Sequence, residues 1–205
     1  MVDAALAPLP KGRHSLTREQ VATAQRLRLA MALADAMAQH GYVGTPVAAI
    51  LERAGVSRET FYQLYRSKLA CFLDALDFVG EVLVAELTTA LEGPGDPLQR
   101  AGRAVERYLD VIAEHPALAR LYLVEVHAAG PEAIRRRARL QDRVVDALAD
   151  LLGARTARRR FACRAFVAAV SSLVTVPVAT GDTTALRALR GPLLDHLRSL
   201  LPADG

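Results

Sequence analysis

Arg58, Thr60, Tyr62 and Gln63 stand close together, directly after Ser57. Arginine pairs well with guanine O6 and N7, glutamine pairs with adenine N6 and N7, and hydroxyls suit phosphate oxygens. These are the chemistries of reading a DNA groove. They require the start of a short helix to present the side chains to base edges, and Ser57 is a residue type that caps such a start. Lys68, a few residues on, adds a cation in the first turn of the next helix, where backbone amides also favour an anion.

Catalytic and metal chemistry find no such pattern. The histidines His14, His40, His115, His127 and His196 are scattered, and no pair has the i, i+4 spacing of a helical metal site. Cys71 and Cys163 lie far apart, too few for a disulfide framework or a zinc knuckle, which fits a reduced cytoplasmic setting. There is no glycine-rich phosphate loop behind a strand, no nucleophile elbow and no carboxylate motif. Glu125 and His127 are two residues apart and point to different helix faces. No catalytic residue, metal or cofactor is expected; a helical-bundle enzyme is the alternative class.

The elements that carry these residues are helices. The chain has 205 residues, 52% of them apolar and 23% charged, with 5% aromatics and no tryptophan. Disorder over the whole chain is excluded, and a core of Leu, Ala and Val argues against sandwiches and barrels. Residues 1–70 hold nine Lys and Arg against five Asp and Glu, whereas residues 71–205 hold seventeen of each. The whole excess of +4 therefore sits in the first third, as a polyanion-binding head on a neutral body would have it.

Residues 1–14, with Pro8, Pro10 and Gly12, read as a flexible arm, and a disordered tail is a better reading of it than DNA contact by Lys11 and Arg13. A helix starts near Leu16 with Thr17 as cap, carries Val21, Ala24, Leu27, Met31, Ala34 and Ala38 on one face, and ends at Gly41. Thr45-Pro46 reads as a cap followed by proline at the first helical position. Ala54-Gly55-Val56 is a tight turn, with Val47, Ile50 and Val56 forming a small core between two short helices. A longer helix runs from Ser67 to Leu91, and Gly93-Pro94-Gly95-Asp96-Pro97 breaks it.

Beyond the break, Leu98, Ala101, Val105, Tyr108, Leu109 and Ile112 form one stripe, and residues 117–129 read as a buried helix. Ile134, Ala138, Gln141, Val145, Leu148 and Leu152 form another, and Leu186, Leu189, Leu193, Leu197 and Leu200 line a last helix. The apolar run Phe161–Thr180 is long enough to span a bilayer, but Arg164, Ser171, Ser172, Thr175 and Pro177 oppose that reading. Its small residues Ala165, Ala168, Ala169, Ser171 and Ser172 suit close packing in a soluble oligomer. The fold class is all-α, with about nine helices and no membrane partner.

Taken together, Gly41-Tyr42, Thr45, Val47, Ile50, Ala54-Gly55-Val56-Ser57, Thr60-Phe61-Tyr62, Tyr65 and Ser67-Lys68 form a long ordered pattern. Over residues 16–78 it resembles the DNA-binding head of the Tet repressor (TetR/AcrR) family. The resemblance implies a helix-turn-helix head at 15–66 and a ligand-binding and dimerisation domain at 67–205. It implies three partners: a double-stranded DNA operator, a small-molecule effector and a second copy of the chain. By position in the family pattern Tyr62 and Lys68 contact phosphates, and Thr45 does so at the start of its helix. Leu51 stands where the family usually has alanine, and Leu64 where it often has histidine, which removes one phosphate contact.

Tyr108, Tyr122, His127 and Phe166 are candidates for an apolar cavity with a few polar anchors. The last two helices, about 155–180 and 182–201, would pair with their copies. The helix from Ser67 to Leu91 would be the only element shared by head and body, and so the lever between them. A DNA-binding dimer with no ligand is the alternative to a ligand-relieved repressor.

Overall fold

The structure is a computed structural model that describes residues 18–199, so the expected arm, Leu16, Thr17 and Leu200 lie outside the described residues. Nine helices make up the described residues, and no strand occurs among them. They are α1 (Arg18–Gly44), α2 (Val47–Ala54), α3 (Arg58–Leu64), α4 (Lys68–Glu92), α5 (Pro97–Glu114), α6 (116–128), α7 (Pro131–Leu151), α8 (Ala157–Thr180) and α9 (183–199). A π turn, Leu121–Glu125, interrupts α6, and α9 is formed by Thr183–Ala188 and Arg190–Ser199.

Caps set the helix starts. Ser57, Ser67, Thr156 and Asp182 each accept a hydrogen bond from the backbone N–H three residues on, satisfying a donor that the helix itself leaves open. Asp96 and Gln99 form a reciprocal capping box ahead of α5. Gly41 (φ 67°) breaks the helical run of α1 near its end, and Gly55 (φ 60°) makes the tight turn between α2 and α3 in the left-handed region. The Thr45-Pro46 expectation needs correction. Pro46 is itself the cap position of α2, and the Thr45 hydroxyl donates backwards to the Gly41 carbonyl at 2.7 Å.

α4 runs through the middle, with α5 and α7 packed along it; α8 lies on α7, α9 on α5, and α1 on α2 and α6. One continuous apolar cluster joins all of them. Two expected stripes hold only in part: Ala34 on α1 and Val145 and Leu148 on α7 are buried as expected. On α1 the core face is Leu29, Leu33, Ala36 and Met37, while Val21 and Ala38 are exposed. On α7 it is Ala133, Leu140, Val145, Leu148 and Ala149, while Ile134 and Ala138 are exposed. Both helices carry alanine on several faces, so the spacing alone does not decide which face the neighbouring helices bury. The stripe of α5 and the leucines Leu186, Leu193 and Leu197 of α9 are buried as expected.

α8 is long and apolar enough to cross a membrane. Here one face, with Cys163, Phe166, Val170 and Val174, is packed into the core, and Arg164 pairs with Asp142 at 3.2 Å.

α4 and α7 approach closely at Gly80, where an added Cβ would lie 2.2 Å from Leu140 Cδ1. Gly80→Ala gains helix propensity but must push Leu140 out of a filled core. It should lower stability by about 1–3 kcal/mol. In a Leu140→Ala background the same change should stabilise, and denaturant unfolding of the four proteins measures both effects.

Candidate DNA interface and interior cavity

The head presents α3 outward. Ser57 Oγ accepts from Thr60 N at 3.1 Å and shares a 2.9 Å hydrogen bond with Thr60 Oγ1, so the two hydroxyls are already oriented at the helix start. Arg58, Tyr62 and Gln63 are exposed. The Arg58 guanidinium lies 5.8 Å from the Tyr62 ring centre, and Gln63 donates to Glu59 at 3.3 Å. Neither contact is strong, so both side chains are free to turn towards a polyanion. Behind them, Phe61 is fully buried with Ile50, and Tyr65 is buried with its hydroxyl donating to Asp74. Burial and Asp74 raise the Tyr65 pKa, so this hydroxyl keeps its proton. The small core of Val47, Ile50 and Val56 is present, and Leu51 packs against it.

Two expected phosphate contacts are placed differently. Thr45 is 0% exposed and its hydroxyl donates to the Gly41 carbonyl, so its side chain is not presented to solvent. Lys68 donates to the carbonyls of Tyr42 (2.6 Å) and Thr45 (2.9 Å), and its ammonium lies 4.4 Å from the Tyr42 ring centre. Burial lowers its pKa. Two of its three N–H donors thus hold the turn between α1 and α2, and one remains for an anion.

The turn is held from the other side by a residue that the sequence suggested only as an unsuitable catalytic partner of His127. Glu125, in the π turn of α6, is 5% exposed. Its carboxylate accepts from Tyr42 N at 2.7 Å and from Arg120 Nε at 3.0 Å. Arg120 also donates to the Ala179 carbonyl at 2.9 Å, which brings the end of α8 into the same network. The Tyr42 ring meets Phe72 of α4 edge-on, with centres 5.2 Å apart. α4 is therefore not the only element linking head and body; α6 grips the head through Glu125. Glu125 is the one acidic residue in the apolar run 117–129, and that isolation was the available signal.

A partly open cavity of about 80 Å³ lies among α4, α5, α6, α7 and α8. Tyr108, Tyr122 and Phe166 line it as expected, together with Leu87, Val105 and Ser171. His127 does not; it is exposed on the opposite side of α6 from Glu125. Tyr122 points inward and Glu125 towards the head, while His127, just beyond the π turn, is outside. A second, smaller cavity lies across Tyr108 and Tyr122, against Phe78 and His115. Burial pushes the Tyr108 hydroxyl up to about 12 and also raises that of Tyr122, so both are neutral donors.

On the outer side of α8, Phe161, Ala165, Ala168, Ser172 and Val176 are exposed at helical spacing, with Leu173 beside them. Ala169, expected in this row, is half-buried within the protomer.

Comparison with known proteins agrees with this geometry. Residues 31–75 match the family described as "Bacterial regulatory proteins, tetR family". The chain is 29% identical over 128 residues to the HTH-type transcriptional activator FasR of Mycolicibacterium smegmatis, covering 62% of this chain and 58% of that one. It is 27% identical over 114 residues to the HTH-type transcriptional regulator RutR of Escherichia coli K12, covering 56% and 53%. The chain thus spans little more than half the length of these curated relatives. Among solved structures, the fatty acid degradation regulator FadR of Bacillus halodurans superimposes with a TM-score of 0.72 at 19% identity, over 86% of this chain and 98% of that one. FadR of Bacillus subtilis, solved with stearoyl-CoA, gives 0.72 at 16% identity over 85% and 98%. At these identities the structures establish the fold.

The Glu125 network yields a stability prediction. Glu125→Ala leaves the buried Tyr42 N–H and the Arg120 guanidinium without their acceptor. It should cost about 2–3 kcal/mol, and Glu125→Gln, which keeps one acceptor oxygen, should cost less. Denaturant unfolding would order the three proteins.

Proposed function

We propose that this chain, whose head is that of the tetR family of bacterial regulatory proteins, is a cytoplasmic, homodimeric transcriptional regulator. In this reading it is a repressor released from a palindromic DNA operator by a small, mostly apolar ligand. The observation that carries the reading is α3, a capped helix that holds Arg58, Tyr62 and Gln63 outward on a head whose family pattern is matched. Arg58, Thr60 and Gln63 read bases, Tyr62 contacts phosphate, and Ser57 fixes the start of the helix. Lys68 serves first as the clamp of the α1–α2 turn and offers its remaining donor to the backbone of the DNA.

One short helix reads too few bases for a genomic address, so a second copy is needed. Two heads about 34 Å apart meet successive major grooves. The exposed row on α8 supports a dimer face, since its small residues allow close helix approach and Phe161 and Val176 supply apolar area. The cavity supports the effector role. Its wall is formed by α4, which begins in the head, and by Tyr122 in the π turn that also carries Glu125. A ligand against Tyr122 and Leu87 bears on both connections at once. The stearoyl-CoA bound in the Bacillus subtilis neighbour supports an apolar effector of some length.

Two measurements test the reading. Operator selection from random DNA should return a palindrome, and Arg58→Ala should relax one base position in each half-site at a cost of about 1–3 kcal/mol. An unchanged selected motif would remove Arg58 from base contact. Separately, Val176→Arg should yield monomers in sedimentation and abolish operator binding; monomeric behaviour of the unmodified protein would refute the dimer.

A further inference from the structure

The arginines of α7 are not alike. Arg136 pairs with Asp77 and Glu132, Arg135 pairs with Glu132 at 3.0 Å, and Arg143 pairs with Glu81 at 2.5 Å. Arg137 turns inward instead, is half-buried, and meets no carboxylate among the described residues. Its Nη2 donates to the Ser171 hydroxyl, its guanidinium lies 5.4 Å from the centre of the Tyr122 ring, and its buried Nε has no hydrogen-bond partner. Ser171 and Tyr122 both belong to the cavity wall, as does Gln141 one turn along α7 from Arg137. Tyr108 is within hydrogen-bond reach of Ser171. Arg137 is not itself a lining residue; it stands directly against two that are, Ser171 and Tyr122, and apart from Tyr108 and Gln141 the rest of the lining, including Leu87, Leu91 and Val105, is apolar.

A half-buried guanidinium beside an apolar volume, with an N–H unused and no counter-ion, is costly as it stands. A carboxylate would supply the missing charge and accept two hydrogen bonds in the fork geometry that guanidinium offers. No residue lining the cavity is charged, so Arg137 can balance one negative charge and no more. We propose that the cavity takes a monoanionic amphiphile, an aliphatic carboxylate whose head is held by Arg137 and Ser171 and whose chain lies along α4 and α5. This inference rests on the reading of the cavity as the effector site and adds the chemical class of the effector.

The test compares decanoate with its uncharged counterpart methyl decanoate by calorimetric titration of the full chain. Decanoate should bind the unmodified protein about tenfold or more tightly than the ester, the usual worth of a charge-assisted hydrogen bond. Arg137→Met, which keeps the apolar stem, should abolish that preference and leave affinity for the ester within about twofold. Arg137→Lys should retain most of the preference, and it stands as the second variant should Arg137→Met fold poorly. Equal binding of acid and ester to the unmodified protein would overturn the anionic class and leave the apolar effector site in place. A preference that survives Arg137→Met would place the anion elsewhere and also overturn the proposal. Binding of neither compound would overturn the effector site itself, and this proposal with it.

Discussion

The position of the head on the body depends on the buried carboxylate of Glu125. A charge at 5% exposure is tolerated only where hydrogen bonds and a cation satisfy it, and here Tyr42 N–H and Arg120 do so. Tyr42 is the counterpart of this arrangement. Its N–H is taken by α6 of the body and its carbonyl by Lys68 at the start of α4, so both of its backbone polar groups are held by different elements. The turn that leads into α2, and with it the angle of α3, is thereby fixed against two parts of the body. Such a junction has few intermediate positions, because moving Tyr42 away from either partner exposes an unsatisfied group.

The π turn gives that junction its relation to the interior. The segment 116–128 places Tyr122 in the cavity wall, Glu125 against the head and the flanking Leu121, Leu123 and Val126 in the core. The wider turn spreads the buried directions over more of the circumference. It also accounts for the partition of the interior. Tyr108 and Tyr122 stand between the larger and smaller cavities, each kept neutral by burial, and they separate two apolar compartments that would otherwise be continuous.

The architecture was legible from punctuation more than from hydrophobic faces. Ser57, Gly55, Gly41 and the Gly93–Pro97 breaker mark boundaries by local chemistry that tertiary packing does not override. The stripes on α1 and α7 were misplaced in part because alanine is accepted on several faces, and the choice among them is made by neighbouring helices. In the head, the outward residues of α3 followed from the motif, but the burial of Thr45 and the use made of Lys68 did not. Both depend on the path of the chain after Gly41. In the body, three of the four cavity residues were found from residue type alone. His127 failed because five residues from Tyr122 is about 140° round a regular helix, so the two never shared a face. Arg137 was hidden within an arginine run whose other members are solvated, although it precedes Leu140 and Val144 on the inward side of α7.

The five tyrosines have a consequence for observing this molecule. The chain has no tryptophan, so its near-ultraviolet absorption and emission belong to tyrosine. Tyr62 lies on the outward helix of the head, Tyr42 and Tyr65 at the joint between head and body, and Tyr108 and Tyr122 in the cavity wall. Each chromophore therefore reports on the head, the joint or the cavity wall. Single Tyr→Phe replacements would assign the spectrum position by position. The protein thus carries an intrinsic optical record of its head, joint and interior, with no label required.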